Sequence, residues 1–283
     1  MCEYCEKYGE GTLWYLNPKN YGRQLYRRPK AGYVPDAISY RKERDQLWAE
    51  YFEAVADELP EAEELRQKVD KIVKANEPCQ VAPLKDVLNL MELSQPVASM
   101  SCICRKYIRA ADERSPAEFT CTGLGVGMLK WERWPERYRG GVHFMSADEA
   151  KEWVTKLDKK GMMHCVMVYG SGYEGRPFVG GLCNCDYPDC YEIRHRLDYK
   201  IDHHLLKSHY VAMIDYDLCN GCGICAQRCQ FGALKMEGSK SGGPKANIDM
   251  LRCFGCGLCE TGCPRGAVKL AERKSLPVLA EVW

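Results

Sequence analysis

The feature that most constrains this chain is a pair of cysteine runs. Each reads C-x2-C-x2-C-x3-C: Cys219, Cys222, Cys225 and Cys229, then Cys253, Cys256, Cys259 and Cys263, offset by 34 residues. The register extends past the cysteines, since Ile214-Asp215 aligns with Ile248-Asp249 and Gly232-Ala233 with Gly266-Ala267. Self-similarity at a fixed period marks a duplicated unit. The change of texture begins at Tyr210, and Ser239 to Lys245, with its small residues and Pro244, reads as the loop joining the halves.

Spacing this tight wraps a loop around one cubane, so that three thiolates meet three of its corners and the fourth lies too far round to complete it. Zinc is the alternative for four cysteines, but zinc ribbons split their ligands into two separated C-x2-C pairs. Gly221, Gly223, Gly255 and Gly257 let backbone amides approach the sulfurs, which tunes a cluster's potential.

The 283 residues include 18 cysteines, far above ordinary use yet below the density of a small disulfide scaffold. In a reducing compartment such cysteines read as metal ligands. With 46% hydrophobic and 28% charged residues the chain can build a core, and its length suggests two compact units. The 40 basic and 39 acidic residues cancel to +1, which argues against a nucleic-acid or membrane-surface binder. No apolar run approaches the roughly 18–20 residues of a membrane span. Met1 to Glu10 lacks a signal-peptide pattern, so the expected location is the cytoplasm.

The segment from about Tyr210 to Glu272 resembles the bacterial-type two-4Fe-4S ferredoxin domain. The resemblance implies that the fourth cysteine of each run serves the other cluster. One site would then comprise Cys219, Cys222, Cys225 and Cys263, and its partner Cys253, Cys256, Cys259 and Cys229. One departure stands out: the family places proline after the last cysteine, as at Cys263-Pro264, whereas Cys229 precedes Gln230. A local change in stiffness and hydrogen bonding is expected there, without loss of ligation.

Upstream, helix periodicity runs from Ile38 to Leu59 through Leu47, Trp48, Tyr51, Phe52, Val55 and Leu59, and again over Glu61 to Glu77. Pro83 opens a third helix through Leu93. Ser146 and Glu149 form a capping box, and Gly161 ends the helix it starts. Met162 to Tyr169 reads as a buried strand, Gly170 to Gly175 as a loop, and Phe178 to Leu182 as a short strand. The expected fold class is α+β, with a helical N-terminal region over 1–95, an α+β cysteine-containing domain over 96–209, and the ferredoxin-like two-cluster domain with a tail over 210–283.

The upstream cysteines form islands: Cys102-Ile103-Cys104-Arg105; Cys121 beside Gly123, Gly125 and Gly127; and Cys183-Asn184-Cys185 followed by Cys190. From Ser101 to Glu272 this arrangement resembles a class of larger 4Fe-4S-binding proteins. It implies a third metal site, a further 4Fe-4S cluster, drawn from four of Cys102, Cys104, Cys121, Cys183, Cys185 and Cys190. A zinc site or plain structural thiols are the alternatives. Cys165 reads as a core thiol, Cys2 and Cys5 as a lone C-x2-C at a mobile terminus, and His203, His204 and His209 as a solvated connector.

Position 128 is Met, so the glycines after Cys121 do not make a dinucleotide-binding turn. The G-x-S-x-G, H-E-x-x-H and Walker patterns are absent, as is a C-x3-C-x2-C triad. No catalytic residue is assigned. The expected function is an electron-transfer protein or redox subunit working between a low-potential donor and a partner oxidoreductase carrying flavin, corrinoid or molybdenum/tungsten. The alternative is a reductase with a catalytic upstream metal site, in which Arg105 would hold an anionic substrate. In a third reading the clusters are folding staples. Two or three oxidised cubanes, each contributing about −2, would move the formal charge to roughly −3 or −5 and favour a basic docking patch on the partner. Oxygen sensitivity and an anaerobic source are expected.

Overall fold

The computed structural model describes residues 2–21, 37–76, 79–102, 104–105, 119–125, 142–171, 177–239 and 242–282. Its centre is a mixed seven-stranded sheet built from β1 (Cys79–Val81), β2 (Val97–Met100), β3 (Cys121–Leu124), β4 (Val142–Met145), β5 (Met163–Ser171), β6 (Pro177–Cys185) and β7 (Leu205–Leu206). The strand order is β4-β2-β3-β6-β5-β1-β7, antiparallel throughout except for β1 with β7. The fold class is α+β. Cys79–Val81 lies N-terminal to residue 96 and still forms part of this sheet.

Side chains alternate across a strand, so cross-strand register sorts residues onto faces. Cys165 pairs with Cys183, Cys183 with Cys121, and Val81 with Cys165. With Cys79 and Cys185 two residues along their strands, five cysteines occupy one face. The opposite face carries Val166, Leu182 and Val168, and is covered by α4 (Leu84–Leu93) and α5 (Ala147–Lys159) through Val87, Leu90, Met91, Ala150 and Val154. The N-terminal segment packs into the same core by α1 (Glu3–Tyr8), Trp14 and Tyr15.

The capping box forms as its sequence predicts: Ser146 Oγ accepts from the Glu149 amide while the Glu149 carboxylate accepts from the Ser146 amide. Gly161, at φ +90°, follows the end of α5. The strand expected over 178–182 runs on to Cys185 and so carries the C-N-C element into the sheet. The loop expected over 239–245 is largely strand as well, because β9 (Leu234–Ser239) and β10 (Gly242–Ile248) pair as a hairpin. Gly127 and most of Gly170 to Gly175 lie outside the described residues.

Helices α2 (Ala37–Ala56) and α3 (Ala62–Asn76) pack on each other and on Ile201 and Tyr199 through Trp48, Tyr51, Val69 and Val73. Val55 and Leu59, on the predicted apolar face, are exposed, since this cluster is filled from the Trp48 end. Asp70 fixes the pair to the sheet unit by accepting from the His203 amide at 2.8 Å and facing its Nδ1 at 2.6 Å. Burial works to raise the Asp70 carboxyl, yet these bonds hold it below its ordinary value.

The C-terminal repeat folds as two intertwined halves. β8 (Tyr210–Ile214), α7 (Ile224–Arg228) and β9 form the first; β10, α8 (Leu258–Thr261) and β11 (Val268–Glu272) form the second. β8 pairs with β11, so each half's outer strand is held by the other half. Gly221 and Gly255, equivalent across the repeat, sit at φ +74° and +66°. A Cβ there would stand 2.0 Å from the Pro244 and Tyr210 carbonyl oxygens respectively, so only glycine fits.

Candidate iron–sulfur centres

The repeat brings its eight cysteines into two groups. A cavity is lined by Cys219, Cys222, Cys225 and Cys263, with Gly221 and Gly223 at its wall. Cys259 lies in the electrostatic neighbourhood of Cys256, Cys253 and Cys229. The first group reaches the surface at Cys222, whereas Cys253, Cys256 and Cys259 are buried.

Backbone amides supply N–H donors to these sulfurs. Gly255 N and Ala212 N donate to Cys253 Sγ at 3.3 and 3.5 Å, and Ala267 N to Cys263 Sγ at 3.3 Å. Burial pushes the Cys256 thiol up to about 12. Burial also works to raise Cys263, but the amides of residues 265–268 outweigh it and pull that thiol below its ordinary value. Donors aimed at sulfur favour the thiolate, the form that binds iron.

The unit docks on the cysteine face of the sheet. Phe231 and Phe254 stack at 4.1 Å and, with Leu258 and Cys256, pack in one core with Cys79, Cys165, Cys183, Cys185 and Cys190. Arg228 donates to the carbonyls of Leu258, Asp158 and Lys159, the last two at the C-terminal end of α5, where a cation is favoured. Gln230, the departure from the ferredoxin pattern, has a role here. Its Nε2 donates to the Gly161 carbonyl at 2.6 Å and its Oε1 accepts from the Tyr187 amide at 3.0 Å. Proline could make neither bond.

On the sheet, Cys102 lies within hydrogen-bonding reach of Cys104, Cys121 and Cys185. Cys183, Cys185 and Cys190 hold their sulfurs within 4.8 Å of one another, Cys190 coming from the start of α6 (Tyr191–Leu197). All six predicted cysteines therefore meet on one face. Cys165 is fully buried in the core, as its apolar strand predicts, and it lies beside Cys183 and Cys79, a neighbourhood that the sequence alone did not reveal. The signal was available in the strand alternation, once register was known. Arg105 is buried and its guanidinium pairs with Asp186, with Asp189 at 3.7 Å, while its amide donates to Cys102 Sγ at 3.4 Å. It positions the cysteine loop.

The histidines correct the expected solvated connector: His204 and His209 are buried, His204 against Glu192 and His209 beside Cys2 and Cys5. The terminus is likewise packed, with Cys2 and Cys5 in the core. An open cavity of about 440 Å³, lined by Trp48, Phe52, Glu192 and His204, reaches the sheet at Cys79.

A protein-family model for the 4Fe-4S dicluster domain matches residues 218–267. The match covers the two cysteine groups and the glycines between them. The chain is also similar to pyruvate synthase subunit PorD of Methanothermobacter marburgensis, 63% identical over 27 residues. That stretch is 10% of this chain and 33% of the relative, so the chain spans about a third of the length of the curated relative it matches. The dicluster domain supports two 4Fe-4S clusters and an iron–sulfur electron-transfer role. Among the described residues no helix is long and apolar enough to cross a membrane.

Proposed function

We propose that the chain relays single electrons between a low-potential donor and a partner oxidoreductase. The dicluster domain would use Cys219, Cys222, Cys225 and Cys263 for one cluster and Cys253, Cys256, Cys259 and Cys229 for the other. The upstream domain would hold a third cluster on Cys102, Cys104, Cys121 and Cys185. Bound there, 4Fe-4S clusters supply one-electron transfer with little movement of their ligands.

The observation that carries this reading is the shared core. Phe231, Phe254, Cys256 and Leu258 pack directly against the cysteine face of the sheet, so the buried group of the dicluster domain adjoins the upstream thiols. Cys222, the exposed ligand of the other group, would then face the partner. A core of this kind excludes water and fixes the spacing between the groups, which rapid transfer requires. PorD is a subunit of a pyruvate synthase, an oxidoreductase. By that similarity the partner here is an oxidoreductase assembly, and the negative charge of the clusters favours a basic patch on it.

The cavity at Cys79 favours a second reading, in which a small substrate is reduced beside the upstream thiols. One experiment addresses both. Under anaerobic conditions, a redox titration of the full chain should show reversible uptake of electrons at low potential, and the reduced chain should pass them to a partner protein; saturable reduction of a small molecule that binds the cavity would favour the second reading instead. Clusters inert across the roughly −700 to +450 mV range would leave only a folding role and overturn the proposal.

A further inference from the structure

A second kind of centre lies away from the cysteine face. Cys2 and Cys5 flank the first turn of α1, and His209 reaches them across more than 200 residues from the segment between β7 and β8. His209 Nε2 stands 3.3 Å from Cys5 Sγ and 3.8 Å from Cys2 Sγ, and all three ligand atoms lie within 4.8 Å of one another. Zinc bound at about 2.3 Å to sulfur and 2.0–2.1 Å to nitrogen has tetrahedral S···N edges of about 3.6 Å. The two observed separations bracket that value. A cubane, by contrast, takes each thiolate on a separate iron.

The surroundings suit metal-bound thiolates. Trp14 N donates to Cys5 Sγ at 3.4 Å, and Gln80 Nε2 approaches Cys2 Sγ at 3.9 Å. Gln80 is itself held by the Trp14 indole N–H and by donation to the Lys207 carbonyl at 3.0 Å. Donors fixed in this way orient ligands and stabilise their charge. Cys2, Cys5 and His209 are all buried. Two thiols and an imidazole drawn together from distant parts of the chain, with amide donors aimed at the sulfurs, form a built site.

We propose that Cys2, Cys5 and His209 bind one zinc ion that clamps the N-terminal segment onto the strand entering the dicluster domain. Three protein donors leave one position for solvent or a small anion. Zinc is not redox-active, so the site is separate from the relay and the proposal stands independently of it.

Metal analysis of the full chain, purified anaerobically from zinc-supplied cells, tests this. The parent should carry about one zinc at this site, and Cys2→Ser/Cys5→Ser should lose about one zinc with its iron unchanged. Hydrogen exchange in residues 2–21 should rise in that variant. X-ray absorption at the zinc edge of the parent does not depend on the variant folding, and should show two sulfurs and at least one nitrogen or oxygen ligand. A parent without zinc, zinc retained by the variant, or an all-sulfur shell would overturn the proposal.

Discussion

Cys102→Ser should remove about four irons from the anaerobically purified chain while the two clusters of the dicluster domain remain. Cys102 is the thiol that Cys104, Cys121 and Cys185 all face, so its loss takes the common member from the group. Serine oxygen is a harder and poorer ligand for iron. The dicluster domain draws its eight thiols from its own repeat and should retain its signals. The measurement is iron and acid-labile sulfide per chain, beside the EPR spectrum after reduction. Iron equal to that of the parent would exclude Cys102 as a ligand. Loss of all iron would mean that the upstream site is needed for the dicluster domain to fold.

The largest stability effect should come from Arg273. Its side chain is fully buried and donates to three carbonyls, those of Ser208 at 3.1 Å, Tyr210 at 3.0 Å and Cys253 at 2.9 Å. Its own amide donates to the His209 carbonyl at 2.8 Å. One side chain thus ties the entry to β8, the loop of the second cysteine run and the end of β11. Arg273→Met keeps much of the volume but removes a charged donor from three carbonyls, two of them in buried contacts. Removing one partner of a buried charged network costs about 3–5 kcal/mol. At a size of this order that corresponds to a fall in Tm of roughly 10 °C. The lost positive charge beside Cys253 should also lower the reduction potential of the site built there, because a nearby cation favours the more negative, reduced form. Arg273→Lys should recover part of the potential but little of the stability, since an ammonium cannot span three carbonyls in a planar fork. Thermal unfolding and a potentiometric titration of both variants check this; an unchanged Tm in Arg273→Met would show that the network is not structural.

The parts legible in the sequence were those whose information is local. A ligating run with fixed spacing, a capping box at Ser146 and Glu149, and helical periodicity near Trp48 each depend on residues a few positions apart. The remaining features depend on what the sheet brings together. Cys165 is the core thiol its strand predicts, but its neighbours Cys183 and Cys79 come from other strands and leave no local signal. Cys2 and Cys5 lacked a partner until the chain delivered His209. Gln230 was visible as a departure from the ferredoxin pattern, but its acceptor on Gly161 and its donor on Tyr187 belong to another unit. Strand lengths were underread where glycine and cysteine interrupt the β-branched pattern, as in β6.

The most direct test of the relay is the iron and acid-labile sulfide content of the anaerobically purified chain, read with its EPR spectrum after reduction. About twelve irons per chain, with interacting signals from three clusters, is the predicted result. About eight irons would contradict it, leaving a two-cluster domain carried on a sheet without redox function; about sixteen would also contradict it, assigning a further cluster to Cys79, Cys165, Cys183 and Cys190.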